Sequence, residues 1–406
     1  MKILFLTQWF QPEPFFKGLP FAKALQDRGH DVEVLTGFPN YPGGRLYPGY
    51  RIVPWKNEDM EGVAVHRVSL YPSHDRSGTK RILNYLSFSL SSATLGPFLV
   101  HKPDIVYVYN LVTLVPVARM IRALHSCPIV IDVQDLWPDS VQNSGMLRGT
   151  NLNTLLTRYC LSAYRHATHL VVLSQGMKAE LISRGVPEKH ISVIYNWCDE
   201  GNIRSIEKDA ALSKSLNLEG KFIVMFAGTI GIMQGLDTVL DAASLLKASY
   251  PSIKIVLVGD GVERARLKRL ARQKELTNIC FMDRQPPEAM SRILSLADVM
   301  LVHLKDKALF RYTIPSKVQA YMAAAKPVLL AVRGDAADII RASGGGIVVE
   351  PDNPKALARG IVEMHKFPEA ELKRMGASGA RYYLSNMSLA AGVKKFNSLF
   401  CSLHKH

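Results

Sequence analysis

The chain has 406 residues, of which 48% are hydrophobic and 21% charged. That is ordinary globular composition on a chain too long for one core, so two domains of roughly 200 residues each are expected. The formal net charge of +15 calls for an anionic partner: a phosphorylated metabolite, an acidic membrane surface or nucleic acid. Nucleic acid ranks last, because no long Lys/Arg tract and no aromatic-basic pattern occurs.

The chain opens on an apolar strand, Met1 to Gln8, too short for a signal peptide. A loop with two prolines follows from Trp9 to Phe16, then a helix over Gly18 to Arg28 and a strand over Asp31 to Thr36. Strand, loop, helix and strand in so short a span form a βαβ unit and argue for a parallel sheet. Gly18 stands at the helix start, where backbone N–H groups can approach a phosphate, although a lone glycine also serves as a simple turn. The stretch Phe38 to Tyr50 is rich in Pro, Gly and aromatics. Its Tyr41, Arg45 and Tyr47 are candidates to meet a sugar acceptor, by ring faces on C–H faces and by a cation, with plain loop packing as the alternative.

Ile82 to Val100 is an uncharged run flanked by Lys80-Arg81 and His101-Lys102. Its length approaches that of a membrane span, but Asn84 and four serines make it too polar for one. A buried helix and a helix lying in the interface of an anionic membrane both fit, and a true span ranks last. Buried strands are expected at Asp104 to Tyr109, Pro128 to Val133, Leu170 to Leu173 and Ile191 to Tyr195, with a helix near Thr113 to Ala123. Asp199 to Gly220 is charged and has no buried strand, which places a domain boundary there.

The βα pattern then restarts. Strands are expected at Phe222 to Ala227, Ile253 to Val258, Ile279 to Met282, Val299 to Val302, Val328 to Ala331 and Gly346 to Val349. Helices intervene and close the chain at Asn353 to Lys366, Glu369 to Ser385 and Leu389 to Leu403. The expected organisation is α/β: a first domain over 1–200, a second over 201–385, and a final helix within 386–406 packing back on the first. Ligands of doubly wound sheets bind at the carboxyl ends of the strands, where the strand order reverses.

The most telling stretch is Phe310 to Pro327. Thr313 can cap a helix there, with Pro315 in its first turn. Lys317 then sits where the macrodipole is positive, which disfavours a cation unless an anion is held by the same N–H groups. We read Ser316 and Lys317 as one wall of a phosphate site. The turn Gly228-Thr229-Ile230-Gly231, followed by Gln234, lies between a strand and a helix and forms a second wall. Arg284 and Arg311, in the same half, are further candidates to frame the nucleotide. In the first half, Asp135 follows a buried strand and can act as a base or orient a hydroxyl, whereas Asp139 reads as structural. No histidine spacing suits a metal, and no Asp-x-Asp occurs to hold one against a diphosphate. The five cysteines are scattered and lack any CxxC, so they read as free thiols in a reducing compartment.

Taken in order, these motifs resemble the retaining GT-B glycosyltransferases of family four, over essentially the whole chain. The matching stretches are Gly18-Leu-Pro-Phe-Ala-Lys-Ala-Leu with Arg28-Gly-His-Asp-Val, Asp135-Leu-Trp-Pro-Asp-Ser, and Asn196-Trp-Cys-Asp199. Further on come Gly228-Thr-Ile-Gly-Ile-Met-Gln-Gly235, Val258-Gly-Asp-Gly261, and Pro315-Ser-Lys317 through Lys326-Pro327. Asn40-Tyr-Pro-Gly-Gly and Tyr71-Pro-Ser-His74 bring the chain closest to the bacterial surface-polysaccharide branch, which includes fucosamine transferases of O-antigen and capsule synthesis.

The resemblance implies two Rossmann-like domains facing a cleft. It implies a UDP-sugar donor in the second domain, an acceptor in the first, and transfer with retention and without a metal or other cofactor. Lys317 and the turn Gly228 to Gly231 would neutralise the leaving diphosphate, with Gly18 approaching from the first domain. The expected acceptor is a polyprenyl-diphosphate-linked glycan, met by a cytoplasmic enzyme at the inner face of the cell membrane. Three departures stand out. The family's paired glutamates fall on Tyr312 and Ala320, and its cations of the first loop fall near Thr229 and Gln234. The family's histidine before the Asp of the first-domain motif falls at Gln134. A nucleotide-sugar 2-epimerase and a non-catalytic sugar-nucleotide-binding protein are the alternative readings.

Overall fold

The computed structural model describes residues 1–15, 17–73, 78–137 and 150–404. His74, Asp139 and Ser140 of the motifs above lie outside the described residues. The chain divides into two compact units, Met1–Tyr195 with Gly392–His406, and Asn196–Ala391.

The first unit is built on an eight-stranded sheet of order β3-β4-β2-β1-β5-β6-β7-β8. Its strands are β1 (Lys2–Leu6), β2 (Asp31–Gly37), β3 (Trp55–Met60), β4 (Val63–Val68), β5 (Ile105–Tyr109), β6 (Ile129–Val133), β7 (His169–Val172) and β8 (Ile191–Val193). All neighbours run parallel except β3, which pairs antiparallel with β4 at the sheet edge. The parallel strands have both faces covered, so they read as continuous apolar runs: every residue of β5 and β6 is buried. β3, Trp-Lys-Asn-Glu-Asp-Met, has no such run, and the edge hairpin is absent from the sequence reading for that reason. The helices Thr150–His166 and Gln175–Ser183 are further elements beyond the sequence expectation. The last helix, Leu389–His404, contributes Phe396 and Phe400 to this unit, where they meet Tyr107, and Phe396 also meets Phe21.

The second unit has a six-stranded, wholly parallel sheet of order β11-β10-β9-β12-β13-β14. The strands are β9 (Phe222–Ala227), β10 (Ile253–Val258), β11 (Ile279–Met282), β12 (Val299–His303), β13 (Val328–Ala331) and β14 (Gly346–Val348). Val224, Phe226, Leu240, Leu257 and Leu301 centre its core on the middle strands. In both sheets the chain winds outward in one direction, returns, and winds outward in the other. The reversals fall beside β1 in the first unit and beside β9 in the second. These are two Rossmann-like α/β domains, and their switch points are where ligand sites form.

Candidate functional site

The second unit gathers its candidates at the β9 switch point. Helix Ser316–Ala323 starts there with Pro315 as its N-cap and no side-chain cap. Thr313, expected to cap it, instead donates its hydroxyl to the Leu309 carbonyl at 2.9 Å. Pro315 already holds an extended backbone, with φ −60° and ψ 134°, so the helix starts without a hydroxyl to seal its first amides. One turn on from Lys317, the buried Tyr321 hydroxyl accepts from the Ala227 amide and donates to the Ala227 carbonyl, both at 2.9 Å. That pair fastens the helix to the end of β9 and fixes the direction of Lys317.

Lys317 lies across Gly228. A Cβ at that glycine, whose φ is +143°, would stand 2.7 Å from Lys317 Cε and 3.1 Å from Nζ. The ammonium is 3.4 Å from Gln234 Oε1 and 4.9 Å from the centre of the Phe226 ring. Among the described residues it has no carboxylate partner. Burial alone acts on it and lowers its pKa from 10.5 to about 8. A half-buried cation at the positive end of a helix, with no counter-charge, is the electrostatic signature of a site for an anion.

The remaining expected donor contacts divide. Thr229 is exposed and Gly231 half-buried in the turn beside Lys317. The amides of Gly228 and Ile230, expected to cradle phosphate, are instead donated to Val258 and Asp260 carbonyls at 2.9 and 2.8 Å, tying the turn to the loop after β10. The amides of Thr229 and Gly231 have no backbone partner among the described residues, so these are the ones left to a ligand. Ser316 is exposed at the helix start. Arg284 is exposed in the segment after β11. Arg311 faces Asp306 at 3.7 Å, and Asp306 is shared with Arg333 at 3.1 Å, so its charge is partly matched already.

In the first unit, Gly18 is the N-cap of the helix Leu19–Gln26. The space before it is not open: the Gln11 carboxamide lies against its Cα and accepts the Leu19 amide at 2.5 Å. Gln11 therefore does at this helix what a phosphate was expected to do. Asp135 follows β6, reaching solvent at one side, while the protein around its carboxyl raises its pKa by desolvation. Gln134 beside it donates to Asp132 at 2.5 Å. Tyr41 packs its ring against Phe15 at 5.0 Å and Trp9 at 5.7 Å, with Trp9 and Phe15 stacked at 5.3 Å. Tyr47 is turned inward, its hydroxyl donating to the Tyr41 carbonyl at 2.8 Å, while Arg45 is exposed on the same loop.

Three further groups are assembled mainly from partners remote in sequence. Lys17 and Asp132 form a fully buried pair at 2.5 Å, and Asp132 also accepts the Tyr107 hydroxyl at 2.5 Å. Glu13, 1% exposed, accepts the amides of Phe10, Asn40 and Tyr41 at 3.0, 2.8 and 2.7 Å. Burial raises it to about 7, and the three amides pull the other way. Glu13 thereby joins the two loops that carry Trp9, Phe15 and Tyr41. In the second unit, His303 at the end of β12 is buried and holds the Gln234 carbonyl. A lone Glu between prolines or a His ending a strand has no sequence signal that separates it from ordinary loop and core residues.

Known proteins match this arrangement at both levels. Residues 19–197 match the glycosyl transferase 4-like domain, and residues 207–381 match the glycosyl transferases group 1 family. WcaI of Escherichia coli K12, assigned to colanic acid biosynthesis as a glycosyl transferase, is 29% identical over 367 residues, covering 85% of this chain and 86% of its own. The glycosyltransferase WbjE of Pseudomonas aeruginosa is 28% identical over 271 residues, 66% of each chain. Among solved structures, HepE of Anabaena, crystallised with UDP and glucose, superposes with a TM-score of 0.68 at 17% identity, covering 99% of this chain and 100% of its own. With one glycosyltransferase model on each half, and a lysine without counter-charge at the switch point of the second, the chain belongs to the group 1 glycosyltransferases of GT-B fold.

Proposed function

We propose that the protein moves a sugar from a UDP-sugar, with retention, onto a polyprenyl-diphosphate-linked glycan for surface polysaccharide, at the inner face of the cell membrane. The observation that carries the reading is Lys317, a desolvated ammonium lying over Gly228 at the start of an uncapped helix. The bond from the sugar's anomeric carbon to the phosphate oxygen breaks, and a bond from that carbon to the acceptor oxygen forms. The acceptor's proton passes to the leaving phosphate. Lys317 and the amides at the start of helix Ser316–Ala323 stabilise the negative charge that develops on that phosphate. Asp135 orients the acceptor hydroxyl. The colanic acid assignment of WcaI supports the surface-polysaccharide part, and the UDP and glucose bound by HepE support the donor class.

The membrane part rests on the helix Gly78–Leu99. Its buried face carries Asn84, Tyr85, Phe88 and Ser92, while Leu83, Leu86, Leu90 and Phe98 are exposed, Phe98 at 88%. The polar side is held inside by bonds from Gln8 to Asn84 and from Asn84 to the Tyr71 carbonyl. No described helix is long and apolar enough to cross a membrane. An apolar stripe with Lys80 and Arg81 at its start suits a surface of anionic lipid.

A thermal-shift panel of UDP-, GDP-, CMP- and dTDP-sugars tests the donor, with UDP-N-acetylfucosamine among them. A selective rise with UDP compounds is expected by mass action. Transfer to a lipid-linked acceptor then separates the readings: an epimerised free sugar nucleotide, or binding with no turnover, overturns the proposal. In the same preparations, replacing both Lys80 and Arg81 by Ser should weaken sedimentation with anionic vesicles. Equal sedimentation removes the membrane part.

A further inference from the structure

His303 stands behind the turn that faces Lys317, and the two sides of its ring are committed to different jobs. Nδ1 lies 2.7 Å from the Gln234 carbonyl oxygen, and the Asp352 amide donates to Nε2 at 3.4 Å. An amide N–H can only donate, so Nε2 accepts and the ring proton is on Nδ1, where it is donated to Gln234. Burial lowers the imidazole's pKa, which keeps it in this neutral form. The ring is also wedged against the turn. Gly235 has φ +59°, and a Cβ there would stand 3.0 Å from His303 Cε1 and 3.1 Å from Nδ1. The carboxamide of the residue His303 grips, Gln234, is the polar side chain that touches the Lys317 ammonium.

We propose that His303 is a positioning residue of the nucleotide diphosphate site: by holding the Gln234 main chain it keeps the 232–235 turn pressed toward Lys317, with the Gln234 carboxamide facing the ammonium. The inference rests on the donor reading above and assigns a function to a residue that no motif marked. The turn, Ile232-Met233-Gln234-Gly235, has no charge of its own with which to grip phosphate. Its contribution is then one of shape: the amides of Thr229 and Gly231 must be presented at a fixed distance from a single lysine. His303, supported by Asp352 from the segment after β14, supplies that rigidity from below. A buried histidine serving the core alone would affect melting and leave affinity for nucleotide untouched.

The test is calorimetric titration of the full chain with UDP, alongside the melting temperature of each variant. His303→Leu removes both ring bonds at similar volume, and it should weaken UDP binding about tenfold or more. His303→Asn retains a donor at the Nδ1 position and should recover most of that loss, to within about threefold of the parent. The hydrogen of Nδ1 should also appear directly in the nitrogen-15 spectrum of the unliganded protein, independent of any ligand. The proposal is overturned if His303→Leu binds UDP like the parent while Lys317→Ala does not. It is equally overturned if His303→Leu and His303→Asn lose affinity alike although both melt as the parent does, or if the proton is on Nε2. A parent chain that binds no UDP at all, with Nδ1 protonated, would instead sink the donor reading on which the proposal stands, and the proposal with it.

Discussion

Lys17 and Lys317 occupy comparable local positions, one in each unit, and have opposite fates. Each stands at the start of a helix beside a glycine turn, and burial pulls the ammonium of each below its ordinary range. Lys17 has Asp132 at 2.5 Å, with Tyr107 and Gln134 filling the other positions on that carboxylate and the Phe396 ring 5.0 Å from its ammonium. Lys317 has an amide oxygen at 3.4 Å and an aromatic face, neither of which carries a full negative charge. The comparison separates a lysine that completes a fold from one that, among the described residues, has no counter-charge. Desolvation is common to both, and the presence of a carboxylate decides between them.

The largest expected effect breaks the first of these. Lys17→Met leaves Asp132 buried and charged without its cation, which should destabilise the first unit by about 3–5 kcal/mol in equilibrium urea unfolding. Adding Asp132→Asn should return part of that loss, and a single variant as stable as the parent would show that the pair is not ionised.

The second effect concerns binding rather than folding. Lys317→Ala leaves no charge unpaired and relieves a desolvated ammonium, at the loss of one long bond to the half-buried Gln234 carboxamide, so its melting temperature should stay close to that of the parent. Turnover with the preferred donor should fall about 100-fold, equivalent to about 2.7 kcal/mol. Full turnover in Lys317→Ala would place the leaving-group chemistry elsewhere.

The third effect is the smallest and sharpens the contrast through pH. Lys317's pKa in the folded, unliganded chain is about 8, below the 10.5 of an ordinary lysine. The unfolded chain therefore binds more protons between those values, and stability without ligand rises with pH across that window. A bound diphosphate raises the pKa, so UDP binding above pH 8 takes up a proton. Affinity should be level below pH 8 and weaken about tenfold per pH unit above it, whereas Lys317→Ala should show no such slope. Calorimetry in buffers of different ionisation enthalpy measures the proton uptake directly.

Much of the fold was legible in the residues, and the exceptions are instructive. Parallel strands covered on both faces leave largely apolar runs, so β1, β5, β6, β9, β10 and β12 are legible one by one. The edge strand Trp55–Met60 could not, because its side chains alternate at a solvent boundary and four of its six residues are charged or amide-bearing. Pro315 replaced Thr313 at the helix start because its extended backbone already turns the chain into the helix. The sequence leaves Gly18 open between a phosphate approach and a simple turn, because Gln11, which fills the space, is a loop residue with no motif around it.

By itself the sequence determined the succession of strands and helices, the two-domain plan and the misplaced charge of Lys317, since all of these are written in local periodicity and in the sign of a helix end. Only the tertiary structure decided which buried charges are answered. Asp132 lies 115 residues from Lys17, and Gln234 lies 83 residues from Lys317. Whether a lysine is paired depends on what the sheets bring beside it, and at such separations nothing in the neighbouring residues records the outcome.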